Sequence, residues 1–132
     1  MSTSSSSAPV VLAVDDDDLV LDVMLQSLEE LGYHPVGAAN GGEALGVLED
    51  QTPVALLVTD VRMPGMSGIE VAKAARQRRA DLPVLFVTGF STQFTDANLA
   101  LDRGMALLRK PYTLEALESA IKQLMDASAA RH

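Results

Sequence analysis

Four short stretches of this chain carry side chains able to do chemistry together: Asp15-Asp16-Asp17-Asp18, Thr59-Asp60, Thr88-Gly89 and Arg109-Lys110-Pro111. Carboxylates brought together repel one another, and partial burial raises that cost. A hard dication relieves it, and donors made only of oxygen favour Mg2+ over zinc or copper. Mg2+ uses few carboxylates, keeps some water and leaves room for phosphate oxygens. An aspartate can itself be a nucleophile and form an acyl phosphate. The transferring phosphoryl group is then stabilised by the dication on one side and by an ammonium and a hydroxyl on the other. Taken singly, each stretch has a plainer explanation. An aspartate run often opens a helix, where it complements the macrodipole, and Asp17 and Asp18 suit that role. A threonine ending a strand is usually structural, and a lysine before proline is usually a turn. The chemistry therefore depends on a fold that gathers all four.

The pattern along the chain supplies such a fold. Val10–Val14 is a short run rich in branched residues, bounded by aspartates, and reads as a buried strand. Leu19 to Leu31 carries Leu21, Met24, Leu25, Leu28 and Leu31 at helical spacing, and Gly32 supplies the stop. Tyr33–Ala39 is a weaker strand whose Pro35 cannot donate to a ladder, which places it at a sheet edge. Asn40-Gly41-Gly42-Glu43 resembles a capping box opening a second helix through Leu48. Val54–Thr59 and Leu82–Val87 are strongly apolar strands, and Ala106–Leu108 is a short fifth. Between them a helix starts at Ser67 or Gly68 and runs to about Arg79. Thr113 caps a last helix with Leu114, Leu117, Ile121 and Leu124 facing inward. Ser91–Arg103 has the weakest pattern and reads as a short or poorly formed helix. Repeated strand–helix alternation implies parallel strands with right-handed crossovers and helices on both faces. With the most apolar strands central and the proline-bearing one at an edge, the order is 2-1-3-4-5, an α/β flavodoxin-like sheet. All four chemical stretches then sit at the carboxyl ends of strands, on one rim.

Composition narrows the function classes. A chain of 132 residues suits one domain, and 48% hydrophobic with 21% charged residues suits an ordinary globular protein. There are no cysteines, so disulfides, thiolate metal sites and a cysteine nucleophile are excluded. The net charge of −8 argues against direct nucleic acid binding. Arg76, Arg78 and Arg79 cluster at a helix end, where cations offset the macrodipole, and read as a solvated face. No apolar run is long enough to span a bilayer, so no membrane association is expected. The expected organisation is a disordered Ser-rich tail over 1–9, one domain over 10–126 and a C-terminal tail over 127–132.

At this point the motifs themselves carry a resemblance. Val-Asp-Asp at 14–16, Thr-Asp-Val-Arg-Met-Pro-Gly-Met-Ser-Gly at 59–68, Val-Thr-Gly at 87–89 and Arg-Lys-Pro at 109–111 resemble the receiver domain of bacterial two-component response regulators. The likeness covers about residues 10–126. The resemblance implies that Asp60 is the phosphoacceptor and that Mg2+ is held by Asp15, Asp16, Asp60 and the backbone carbonyl of Arg62, with Asp16 a more direct ligand than Asp15. It implies that Thr88 and Lys110 bind the phosphoryl group, that Thr88 switches position, and that the bond before Pro111 is cis. It further implies a cytoplasmic phosphorylatable switch, served by a histidine kinase or a histidine phosphotransfer protein. Such a domain is no enzyme beyond its own Mg2+-dependent phosphorylation and dephosphorylation. No output domain follows the last helix, so output is expected through a partner protein, or the chain is the receiver of a hybrid histidine kinase.

The sequence also departs from the common pattern. Many receivers carry a tyrosine or phenylalanine three residues before the lysine, where this chain has Leu107. Phe86-Val87-Thr88-Gly89-Phe90 resembles a subgroup pattern known from alphaproteobacteria, in which Phe90, beside Gly89, is a candidate substitute for that aromatic. His34 and His132 have no partners at ligand spacing, and Tyr33 and Tyr112 read as packing residues. Two other classes are weighed against the switch. A pseudo-receiver kept for protein interaction alone would lose one of the acidic pair, Asp60, Thr88 or Lys110, and all are present. A phosphate-ester hydrolase on a similar site would need a cap or substrate-binding insertions, for which the chain has no room.

Overall fold

The computed structural model describes residues 8–50, 53–89 and 103–130. Five strands, β1 (Val10–Val14), β2 (His34–Ala38), β3 (Val54–Asp60), β4 (Val84–Thr88) and β5 (Met105–Arg109), form one sheet in the order β2-β1-β3-β4-β5. Each neighbouring pair is parallel. Four described helices cover it: α1 (Asp18–Glu30), α2 (Gly41–Glu49), α3 (Gly68–Arg78) and α4 (Leu114–Ala130). The expected strand order and flavodoxin-like architecture are those of the structure, with Pro35 on the edge strand β2 as its missing N–H requires.

The two faces of the sheet have separate cores, because alternate residues of a strand point to opposite sides. Val11 and Ala13 of β1 pack with Leu56, Val58, Leu85 and Val87 under Met24 and Leu28 of α1 and Leu117, Ile121 and Leu124 of α4. Leu12 and Val14 pack with Leu57 and Phe86 under Ala44 and Leu48 of α2 and Val71, Ala72 and Ala75 of α3. Register slips by one residue between Val10 and Val11, which pair with Val54 and Leu56, so Ala55 is the extra residue of a bulge. That slip lets both Val54 and Leu57 serve the α2–α3 core.

Several local expectations are corrected. Leu114 was expected to face inward but is 38% exposed. It is the first residue of α4, and a helical side chain tilts back toward the N-terminus, where α4 has no earlier turn to cover it. Helix α4 continues through residues 127–130. Arg76 is not simply solvated: its Nε donates to the Leu82 carbonyl at 2.7 Å and its Nη2 to the Arg103 carbonyl at 2.8 Å. Arg78 pairs with Glu49 of α2 and donates to the Ala74 carbonyl at 3.1 Å. These arginines thus tie α3 to its neighbours. The expectations for residues 1–7, Phe90, His132 and all but the last residue of the weak helix over Ser91–Arg103 lie outside the described residues.

Candidate functional site

The ends of the central strands bring the carboxylates together. Asp15 follows β1 directly and is buried, while Asp60 closes β3 and is half-buried. The carboxylates of Asp15, Asp16 and Asp60 offer oxygens that all lie within 4.8 Å of one another. The Lys110 ammonium stands 3.8 Å from Asp15 Oδ2 and 4.0 Å from Asp60 Oδ2. Lys110 is placed by its own backbone, because its N–H donates to the Thr88 carbonyl at 2.8 Å and so continues the β4–β5 ladder past Arg109. The Lys110–Pro111 bond is cis. Thr88 is fully buried at the end of β4.

The backbone around each acid is equally well held. Asp15 Oδ1 accepts from the Asp17 N–H at 2.9 Å, and Asp17 in turn caps α1 by accepting from Leu19 N–H and Val20 N–H. Asp60 Oδ1 faces the Arg62 N–H at 3.4 Å, a long contact, and the Thr59 hydroxyl donates to the Asp60 carbonyl at 3.0 Å. Val61 N–H donates to the Val87 carbonyl and Val61 O accepts from Gly68 N–H. Asp17, suited by its place in the aspartate run to open a helix, is the N-cap of α1, and Gly68, one of the two expected starts, is the first residue of α3.

Below the acids the crevice is lined by Val14, Val20, Met24, Val58 and Val87, with Asp15, Asp60 and Lys110 at its polar side. Burial in these surroundings pushes the carboxyls of both Asp15 and Asp60 above the ordinary aspartate range, and the nearby Lys110 only partly offsets it. The Asp17 amide also offsets it at Asp15, while Asp60 and Asp15 are each raised further by a neighbouring carboxylate. Tyr112, packed against the α1–α4 core, has its phenol pushed up by burial and by the Asp15 charge. Three carboxylates against one ammonium leave two negative charges unbalanced, which is what one dication offsets. Mg2+ ligands at about 2.1 Å stand up to about 4.2 Å apart across the ion, so this all-oxygen group fits it with small side-chain rotations.

A family model for the response regulator receiver domain matches residues 11–122. The chain belongs to the response regulator receiver family. This receiver is 34% identical over 119 residues to the response regulator receiver protein CpdR of Brucella abortus, covering 90% of this chain and 98% of that protein. It is 32% identical over 125 residues to the sensor kinase CckA of the same organism, covering 94% of this chain but 13% of that kinase. Among solved structures, a CheY-like response regulator receiver domain protein from Methanospirillum hungatei superposes with a TM-score of 0.84 at 31% identity, covering 96% of this chain and all of that one. Among the described residues of this receiver, no helix is long and apolar enough to cross a membrane.

The receiver brings together Asp15, Asp16, Asp60 and Lys110, the group that the motifs single out, while Thr88 meets it through the Lys110 backbone. Arg62 lies on the rim of the site in a groove with Val61, Met63, Pro64 and Ser67. Leu107 sits on β5, half-buried against the α2–α3 core. Gly89 follows β4 directly.

Proposed function

We propose that this receiver is a phosphorylatable switch that takes a phosphoryl group onto Asp60 in a Mg2+-dependent reaction. The observation carrying the proposal is the Asp60 carboxylate at the mouth of β3, gathered with Asp15 and Asp16 and 4.0 Å from the Lys110 ammonium. An Asp60 oxygen forms the new P–O bond as the bond from phosphorus to the donor breaks, and the donor keeps that electron pair. Mg2+, when bound, supplies positive charge beside the phosphoryl oxygens. Asp15, Asp16, Asp60 and the Arg62 carbonyl would hold it. The Lys110 ammonium, already 4.0 Å from Asp60 Oδ2, would pair with one phosphoryl oxygen, and the Thr88 hydroxyl would shift to bond another, so that donors meet the negative charge on the group. Asp15, engaged by the Asp17 N–H and facing Lys110, is suited to orient the lysine more than to give both its oxygens to the metal.

The donor on this reading is a phosphohistidine of a histidine kinase or a histidine phosphotransfer protein. Similarity to a receiver protein matched over nearly its whole length fits a stand-alone regulator, and similarity to a short part of a sensor kinase fits a hybrid-kinase receiver. Catalysis is confined to the domain's own phosphorylation and dephosphorylation, and the setting is the cytoplasm. The acidic net charge of −8 supports a protein target and not direct nucleic acid binding. Incubation with Mg2+ and beryllofluoride, followed by fluorine spectra, tests the proposal. A bound signal that requires Mg2+ is expected. Its absence at saturating reagent would favour a receiver fold kept only for protein interaction.

A further inference from the structure

Gly68 is the first residue of α3 and is buried. Its backbone does not require glycine, because the positive-φ glycines among the described residues are Gly32, Gly65 and Gly104. Space does require it. A Cβ at Gly68 would stand 1.9 Å from the Asp60 carbonyl oxygen, 2.9 Å from the Asp60 carbonyl carbon and 3.1 Å from the Val61 Cα. All three are backbone atoms, so no rotamer change makes room.

We propose that Gly68 is a positioning residue for the phosphoacceptor: its bare Cα lets the start of α3 close on the Asp60–Val61 peptide and fix where the Asp60 carboxylate stands. The proposal rests on Asp60 being the reacting group. Three further contacts hold the same peptide. Gly68 N–H donates to the Val61 carbonyl at 2.9 Å, Val61 N–H donates to the Val87 carbonyl at 3.3 Å, and the Thr59 hydroxyl donates to the Asp60 carbonyl at 3.0 Å. The start of α3 is itself fixed by a capping box, in which Glu70 N–H donates to Ser67 Oγ at 3.2 Å and Ser67 N–H to Glu70 Oε1 at 2.9 Å. The clamp therefore has a rigid helix end on one side and β4 on the other. Ordinary carbon–oxygen contact is near 3.5 Å, so a methyl at Gly68 forces a retreat of more than an ångström between α3 and the peptide that bears the carboxylate.

Gly65 provides the comparison. It lies in the same loop with φ +79°, so a side chain there is strained, but a Cβ meets nothing within 4 Å. Gly68→Ala and Gly65→Ala would be compared in the full chain, well below each melting temperature, by labelling with acetyl phosphate at saturating Mg2+ and by direct Mg2+ titration. Gly68→Ala is expected to slow labelling by about tenfold or more at any donor concentration, whereas Gly65→Ala stays within about twofold even at equal loss of stability. Mg2+ affinity should fall with Gly68→Ala as well, since Asp60 is one of the clustered carboxylates. Wild-type labelling and Mg2+ affinity in Gly68→Ala, or equal losses in Gly65→Ala at matched stability, would overturn the proposal. Should Gly68→Ala fail to fold, Ser67→Ala with Glu70→Ala loosens the same helix end by removing both bonds of its capping box. A folded double variant that labels at the wild-type rate overturns the proposal too. Labelling that persists in Asp60→Asn would instead strike at the phosphoacceptor assignment, and Mg2+ titration of Gly68→Ala would then still report on the clamp alone.

Discussion

Asp15 Oδ1 accepts the backbone N–H of Asp17 at 2.9 Å. This bond divides a run of four identical residues into distinct roles. Asp15 is turned into the site, Asp17 caps α1, Asp18 lies in its exposed first turn, and Asp16 keeps an exposed carboxylate beside Asp60. Mg2+ affinity should therefore depend on Asp16 and Asp60 and hardly on Asp18. Titration calorimetry should show Asp16→Ala weakening Mg2+ by about tenfold or more, with Asp18→Ala within about twofold of wild type. Asp17→Ala should instead cost stability, about 1 kcal/mol for a lost cap, read from urea unfolding. Loss of metal in Asp18→Ala with retention in Asp16→Ala would put the run in the wrong register.

Burial of Asp15 and partial burial of Asp60 make stability depend on pH in a definite direction. Burial raises the folded-state carboxyls of Asp15 and Asp60 above the unfolded value, so the folded state holds their protons more tightly. Their contribution to stability is fully present below the ordinary aspartate range and is lost as pH rises through the elevated values. Metal-free Asp60→Asn should therefore melt above wild type at neutral pH, and the gap should close as the solution is acidified through the raised Asp60 value. Added Mg2+ should stabilise wild type at neutral pH and do little for Asp60→Asn. A gap that widens on acidification would contradict burial as the cause.

Lys110 stands near two carboxylates that a metal would share, so its charge opposes the dication while favouring a phosphoryl group. Lys110→Gln should bind Mg2+ at least as tightly as wild type. Its labelling by acetyl phosphate should nevertheless fall by about tenfold or more, the usual scale for removing one transition-state charge donor. Metal binding and labelling that fell together would make Lys110 a structural support of the acidic cluster instead.

The lifetime of the phosphoryl group is a separate question. Hydrolysis needs an in-line water, and Arg62 and Phe90, two positions after Asp60 and Thr88, are the residues we expect to flank its approach. Arg62 is exposed on the rim, while Phe90 lies outside the described residues. Neither side chain is a carboxylate or amide suited to hold water, and a guanidinium can pair with phosphoryl oxygens. An Arg62→Asn, Phe90→Glu double variant should lose its phosphoryl group about tenfold faster, a change of ~1.4 kcal/mol in barrier. An unchanged decay rate would remove these side chains from control of water access.

Much of this was legible in the sequence because the signals were local. The near-continuous apolar runs of β1, β3 and β4 marked central parallel strands, and Pro35 marked the edge, which was enough to order the sheet and place Asp15, Asp60, Thr88 and Lys110 on one rim. What was missed depends on contacts between distant parts of the chain. The Arg76 guanidinium finds carbonyls 6 and 27 residues further on, which no helix-end rule reveals. Leu114 has the right spacing for an inward face but sits where α4 has no preceding turn. Gly68 was visible as a motif letter, yet only the approach of α3 to the Asp60 carbonyl shows why no side chain fits.

The central claim is that Asp60 alone receives the phosphoryl group, and one comparison reaches it most directly. Wild type and Asp60→Asn are incubated with acetyl phosphate and Mg2+, and intact mass is followed with and without a chelator. Wild type should gain a single phosphoryl group, only with Mg2+ present, in a form lost on acid or alkaline treatment as an acyl phosphate is, and Asp60→Asn should gain none. Equal labelling of Asp60→Asn, in an acid-stable form, would contradict the claim.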